Sequence, residues 1–175
     1  MANFANAFVR TNKNEGGYSN NSHDKGGETY GGITRRFFPA WEGWKLIDTQ
    51  APTIKINNAR FVMADQLLPS FYKINFWDKM KLDLITDQTL AECIYDFAIT
   101  SGISDAIKLI QSLVGAEEDG LLGSITLATI SKFDSYNLLV AYCNGRILHY
   151  GQEAMRLPGN KIFLKGWWLR VVNFI

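Results

Sequence analysis

The 175-residue sequence predicts a mainly α, α+β fold: a helical bundle with a small glycine-rich loop or hairpin near the N-terminus. Three observations point there. Apolar residues recur at helical spacing through most of the chain beyond residue 58. Glycine, asparagine and serine crowd into residues 16–32 and interrupt that pattern. A content of 47% hydrophobic and 13% aromatic residues supplies apolar surface for one compact domain or two small ones, well outside the disordered regime.

The elements follow in order. Phe4, Phe8 and Val9 lie on one face of a first helix, which Gly16 and Gly17 terminate. The next stretch reads as a loop or short hairpin that folds Asp24, Glu28 and Thr29 back over Glu15. Arg35–Trp44 is short and aromatic, and Ile47–Thr53, with Pro52, reads as a connector. Asn58–Leu68 is helical until Pro69 disturbs it. Phe71, Tyr72, Phe76, Trp77 and Leu82 then recur at helical spacing, which places them in the core.

Thr86–Ser101 is a strong helix, capped by Thr86 or Asp87, with a stripe of Leu90, Cys93, Ile94, Phe97 and Ala98 and a stop at Gly102. Ser104 is expected to cap the next helix, whose face is Ile107, Ile110, Leu113 and Val114 and whose stop is Gly115. Asp119–Thr126 reads as a tight turn opening a short helix with Ser124 as its cap. Tyr136–Leu157 is a long helix carrying Leu139, Tyr142, Arg146, Ile147 and Tyr150, and Asn160–Val172, with Phe163, Trp167, Trp168 and Arg170, closes the chain.

Several function classes fall away. Eighteen basic against seventeen acidic residues leave a net charge of +1, so there is no electrostatic footprint for nucleic acid. Two histidines, His23 and His149, with no C-x-x-C or H-E-x-x-H, give no metal site, and no motif calls for a cofactor. Cys93 and Cys143 sit in apolar helical contexts and read as buried free thiols. The N-terminus lacks the basic and apolar regions of a signal peptide, and no apolar run reaches membrane-spanning length.

The chemistry concentrates in residues 15–34, where Glu15, Asp24 and Glu28 stand among glycines, hydroxyls and amides. Such acids commonly form turns and caps. The same loop offers hard oxygens from Asn20, Ser22, Asp24 and Glu28 to a cation, but its order departs from a calcium loop. A carboxyl at a helix end shielded by Phe4, Phe8 and Tyr18 suits a proton donor, because partial burial raises its pKa. A donor with a second carboxylate across a cleft is what glycosidic-bond cleavage needs.

Asn14-Glu15-Gly16-Gly17-Tyr18, then Asp24-Lys25-Gly26-Gly27-Glu28-Thr29 and Gly32-Ile33-Thr34, resemble the opening motif of glycoside hydrolase family 108. That family comprises lysozyme-like N-acetylmuramidases, some described as secretion activators. The chain departs at Asn21, Ser22 and His23, where the family favours Asp and Pro, and at Tyr30-Gly31. Glu15 falls on the family's catalytic glutamate. Phage-type lysozymes carry an aspartate nine residues after their glutamate, as Asp24 follows Glu15, and a threonine six beyond, which Thr29 misses by one.

The resemblance implies a lysozyme-like catalytic region over residues 1–88 and a peptidoglycan-binding helical region over 89–175, packed as one unit. Asp119-Gly120 through Gly123 resembles the turn of peptidoglycan-binding helical domains. The implied reaction is hydrolysis of the β-1,4 bond between N-acetylmuramic acid and N-acetylglucosamine. Glu15 would be the acid, Asp24 its partner and Glu28 the rival for that role, with Tyr18, Thr29, Tyr30 and Thr34 along the sugar sites. The partner would be peptidoglycan glycan strands. The protein would be made in the bacterial cytoplasm and act at the cell wall or periplasm, carried there by a holin or secretion machinery. A lytic transglycosylase, a non-catalytic wall-binding protein and a secretion-accessory protein are the alternatives.

Overall fold

The computed structural model describes residues 1–12, 16–20, 27–49 and 59–175. The chain runs α1 (Phe4–Asn12), β1 (Tyr18–Asn20), β2 (Glu28–Tyr30), β3 (Ile33–Thr34), α2 (Gly43–Thr49), α3 (Val62–Asp65) and α4 (Leu68–Tyr72). A π-helical turn over Lys73–Trp77 and a 3-10 turn over Leu82–Leu84 follow. Next come α5 (Gln88–Ser101), α6 (Ile103–Val114), α7 (Ser124–Ile130) and α8 (Ser135–Arg156). A 3-10 turn over Pro158–Phe163 leads into α9 (Leu164–Val172). This is the expected mainly α, α+β lysozyme-like class, with the hairpin extended to a three-stranded antiparallel sheet. The chain forms two compact units, Met1–Ala7 with Phe76–Ile175, and Phe8–Asn75.

In the larger, helical unit α5 is the central rod. Leu90, Cys93, Ile94, Phe97 and Ala98 are buried as the stripe requires, and so are Ala91 and Tyr95. Asp87 caps it by accepting from the Leu90 N–H at 2.7 Å. Gly102, at φ +98°, ends α5 and is also the N-cap of α6. Ser104 is therefore inside α6 and does not cap it: a glycine in this conformation reverses the chain within one residue and leaves no separate cap position.

Ser124 is likewise the first residue of α7, with Gly123 at the cap. The turn before it is held by Gln111, whose Nε2 donates to Asp119 Oδ1 at 2.7 Å and whose Oε1 accepts from Gly120 N at 2.9 Å. α6 and α8 approach closely at Gly145, where a Cβ would lie 2.6 Å from Leu109 Cδ1. Cys93 and Cys143 are buried free thiols with their sulfurs 3.7 Å apart.

In the smaller, hairpin unit, Tyr18 pairs with Tyr30, Ser19 with Thr29 and Asn20 with Glu28, while Thr29 pairs with Thr34 and Tyr30 with Ile33. Four expectations change. Val9 of α1 is exposed, whereas Ala7 and Thr11 are buried, because a residue two positions from Ala7 turns to the far side of the helix. Ile47–Thr49 belongs to α2, not a connector; Trp44 and Ile47, three apart, give that helix a buried face that outweighs the nearby proline. Residues 50–53 of that connector lie outside the described residues. The helix expected over 58–68 is realised as α3 and, after a turn, α4. Pro69 sits in the first turn of α4, where its missing N–H leaves no hydrogen bond unmade.

Candidate functional site

Alternation along the strands sorts the hairpin's side chains onto two faces. Tyr18, Glu28, Tyr30 and Ile33 share one face by register, and Ser19, Thr29 and Thr34 share the other. On the first face Tyr18 and Tyr30 are 1% and 0% exposed. The Tyr18 hydroxyl donates to Glu28 Oε1 at 2.8 Å. Arg35 takes the other carboxylate oxygen at 3.0 Å and reaches Asp48 at 2.8 Å. The Arg35 guanidinium also lies 4.6 Å above the Trp44 ring. Glu28 is thus engaged at both oxygens. A carboxylate held this way anchors strands; it is not disposed to take a proton from a substrate without breaking those bonds.

Tyr30 ties the sheet to the segment that enters α3. Its hydroxyl donates to Asp65 Oδ1 at 2.6 Å and accepts from Phe61 N at 2.7 Å. Arg60 completes the set with an ion pair to Asp65 at 3.1 Å. Burial, and then the hydrogen bond to Asp65, push the Tyr30 hydroxyl up to about 12. The turn after Tyr30 is fixed by Gly31, at φ +52° and packed so tightly that a Cβ would lie 2.9 Å from the Leu68 methyls. Its carbonyl accepts from the Tyr72 hydroxyl at 2.7 Å.

The second face carries a half-exposed row of hydroxyls, Ser19, Thr29 and Thr34, side by side across the three strands. Thr29 Oγ1 donates to Gly27 O at 3.2 Å, which orients it within the row.

The expected site residues therefore separate. Glu15 and Asp24 lie outside the described residues. Tyr18 and Tyr30, expected along the sugar sites, are instead internal struts, because burial of the ring demands a partner for each hydroxyl and both are supplied within the unit. Glu28 is braced by Tyr18 and Arg35. Thr29 and Thr34 come together, joined by Ser19, which sequence reading passed over. Strand alternation would have found Ser19, but only with the register in hand. Arg35, Asp48, Arg60 and Asp65 were also passed over, since partners five to twenty residues away leave no pattern in the sequence.

Among the described residues no three His, Cys, Asp or Glu side chains gather as a metal-binding set. No helix among them is long and apolar enough to cross a membrane.

No curated protein matches the chain. A solved structure described as "Structure of Brucella abortus SagA" is similar at 30% identity and a TM-score of 0.74, over 98% of this chain and 90% of that one. The model of the family described as Glycosyl hydrolase 108 matches residues 8–102, more than half of the chain and a span that contains Glu15, Asp24 and Glu28. The chain belongs to the glycosyl hydrolase 108 family.

Proposed function

We propose that the protein hydrolyses the β-1,4 bond between N-acetylmuramic acid and N-acetylglucosamine in bacterial peptidoglycan. Glu15, protonated, donates to the leaving oxygen as positive charge develops on the sugar. Asp24, nine residues on, is the ionised partner that steadies that charge or orients the attacking water. Glu28 serves this chemistry from behind, keeping β1 and β2 in register through Tyr18 and Arg35. Ser19, Thr29 and Thr34 offer hydroxyls to the glycan. Residues 89–175 hold the wall polymer, and a holin or secretion machine brings the protein to it.

The observation that carries this reading is the family match over residues 8–102, because it spans the Glu15-Gly16-Gly17-Tyr18 and Gly26-Gly27-Glu28-Thr29 motifs together. Glu28's engagement at both oxygens favours Asp24 as the second carboxylate.

Mass spectrometry of fragments released from purified sacculi tests the reaction. Hydrolysis leaves a reducing N-acetylmuramic acid end. An anhydro end, one water lighter, would assign the protein to the lytic transglycosylases. Binding to sacculi without any released fragment would leave a wall-binding or secretion-accessory role.

A further inference from the structure

Two buried thiols in the helical unit take no part in the chemistry assigned above. Cys93 on α5 and Cys143 on α8 are each 0% exposed, with their sulfurs 3.7 Å apart. The helices themselves bring them together. Asp96 of α5 meets Arg146 of α8, and Thr100 Oγ1 lies 2.7 Å from the Tyr150 hydroxyl. Each of these three pairings joins residues 50 apart in the chain. A constant offset means that α5 and α8 run in the same direction, and steps of three or four residues put each rung one helical turn from the next. The thiols are the first rung of that ladder. The two polar rungs fix the sulfurs opposite each other, and Arg146, from the second rung, donates to Cys93 Sγ at 3.1 Å.

A core cysteine can serve as a small hydrophobe, and any apolar pair of the right size would fill this rung. Two thiols in direct contact are also the reduced form of a cross-link. A disulfide holds its sulfurs at about 2.0 Å, and the remaining approach falls to side-chain rotation, because the ladder already sets the helices in register.

We infer that Cys93 and Cys143 close into a disulfide between α5 and α8 when the chain folds in contact with a disulfide oxidant, either a small-molecule disulfide or the exposed disulfide of an oxidoreductase. One cysteine, as thiolate, attacks a sulfur of the oxidant and releases half of it as a thiol. The other attacks that mixed disulfide, forms the Cys93–Cys143 bond and releases the second half. Each cysteine sulfur gives up one electron and one proton, and the oxidant's disulfide is reduced to two thiols. In the finished fold this exchange is suppressed. Burial first, and then the contact with Cys143, pushes the Cys93 thiol well above its usual range, and neither cysteine offers surface to an oxidant. The compartment in which the chain folds therefore sets the state: two thiols where a reducing pool is maintained, a bridge where it is not. The bridge closes a loop between residues 50 apart that contains α6 and α7, and so locks the helical unit.

The test refolds the full chain from urea with a mixture of reduced and oxidised glutathione, beside a sample refolded with a reducing agent alone. Free thiols are then alkylated in denaturant, the intact mass is measured, and digestion locates any link. Oxidative refolding is expected to give a monomer two hydrogens lighter than the reduced chain, with no alkyl group taken up and one linked peptide pair containing Cys93 and Cys143. Its thermal midpoint should lie roughly 5–15 °C above that of the reduced sample, the effect of a loop-closing disulfide in a domain of this size. In Cys143→Ala the midpoint should be the same after either refolding.

Two alkylated cysteines after oxidative refolding, a glutathione adduct in place of the link, cross-linked dimers, or a bridged protein no more stable than the reduced one would each overturn the lock. None of those results touches the acid role of Glu15.

Discussion

The charge cluster around Asp96 in the helical unit is largely sealed away from water, whereas the ion pairs described in the hairpin unit lie half in the open. Asp96, 3% exposed, lies between Arg146, 0% exposed, and Arg170, which donates to it at 2.8 Å. Arg146 also donates to the sulfur of Cys93 at 3.1 Å and faces Tyr150 at 3.3 Å. In the hairpin unit the corresponding groups are Glu28 with Arg35 and Asp48, and Asp65 with Arg60 and Tyr30. Those pairs tie short strands and loops together where the backbone ladder alone is two or three residues long. The helical unit uses ions to fix a core that its apolar stripes already close. The hairpin unit, whose described strands and helices are short, uses ions and tyrosine hydroxyls as its frame.

The contrast predicts a graded series of effects. Asp96→Ala takes the carboxylate partner from the Arg146 guanidinium, 0% exposed, and should cost roughly 3–5 kcal/mol, read as a loss of urea midpoint. A cost under about 1 kcal/mol would mean the cluster is as solvent-screened as a surface pair.

Tyr30→Phe removes the acceptor of Phe61 N and a donor to Asp65, for about 1–3 kcal/mol. It also changes the alkaline limb. The unfolded chain loses the tyrosine proton near pH 10, as free tyrosine does, while the folded protein keeps it to about 12. The unfolded state therefore binds fewer protons between those values, and stability falls as pH rises through that window. The slope attributable to Tyr30 should be missing from the Tyr30→Phe denaturation series between pH 10 and 12.

Glu28→Gln should have the smallest effect on stability, no more than about 1 kcal/mol, because Arg35 retains Asp48 and water reaches the pair. Its effect on sacculus hydrolysis should stay within about tenfold. A loss near the 10²–10⁴-fold typical of a general acid or base would promote Glu28 from brace to second carboxylate.

The same contrast explains what could be read from the sequence. The helices of the larger unit were legible because each repeats a stripe and carries its own stops: Leu90 through Ala98 before Gly102, and Ile107 through Val114 before Gly115. The caps at Ser104 and Ser124 misled, since a serine near a helix start competes with an adjacent glycine that already turns the chain. In the smaller unit, residue types announced a polar loop with acids, and the sheet did form there. The role of each tyrosine was not legible. Tyr18 and Tyr30 look like sugar-facing rings until the register turns them inward to Glu28 and Asp65. Ser19, an ordinary residue in a serine-rich stretch, gains meaning only opposite Thr29. Local periodicity writes helices into a sequence, while a three-stranded sheet depends on pairings between segments that no single window contains.

The most direct measurement compares wild type with Glu15→Gln for release of reducing ends from purified sacculi, with the thermal midpoint of each recorded alongside. The proposed acid role predicts an unchanged midpoint and a loss of at least about 100-fold in rate. A Glu15→Gln protein that stays folded and releases reducing ends at the wild-type rate would contradict it.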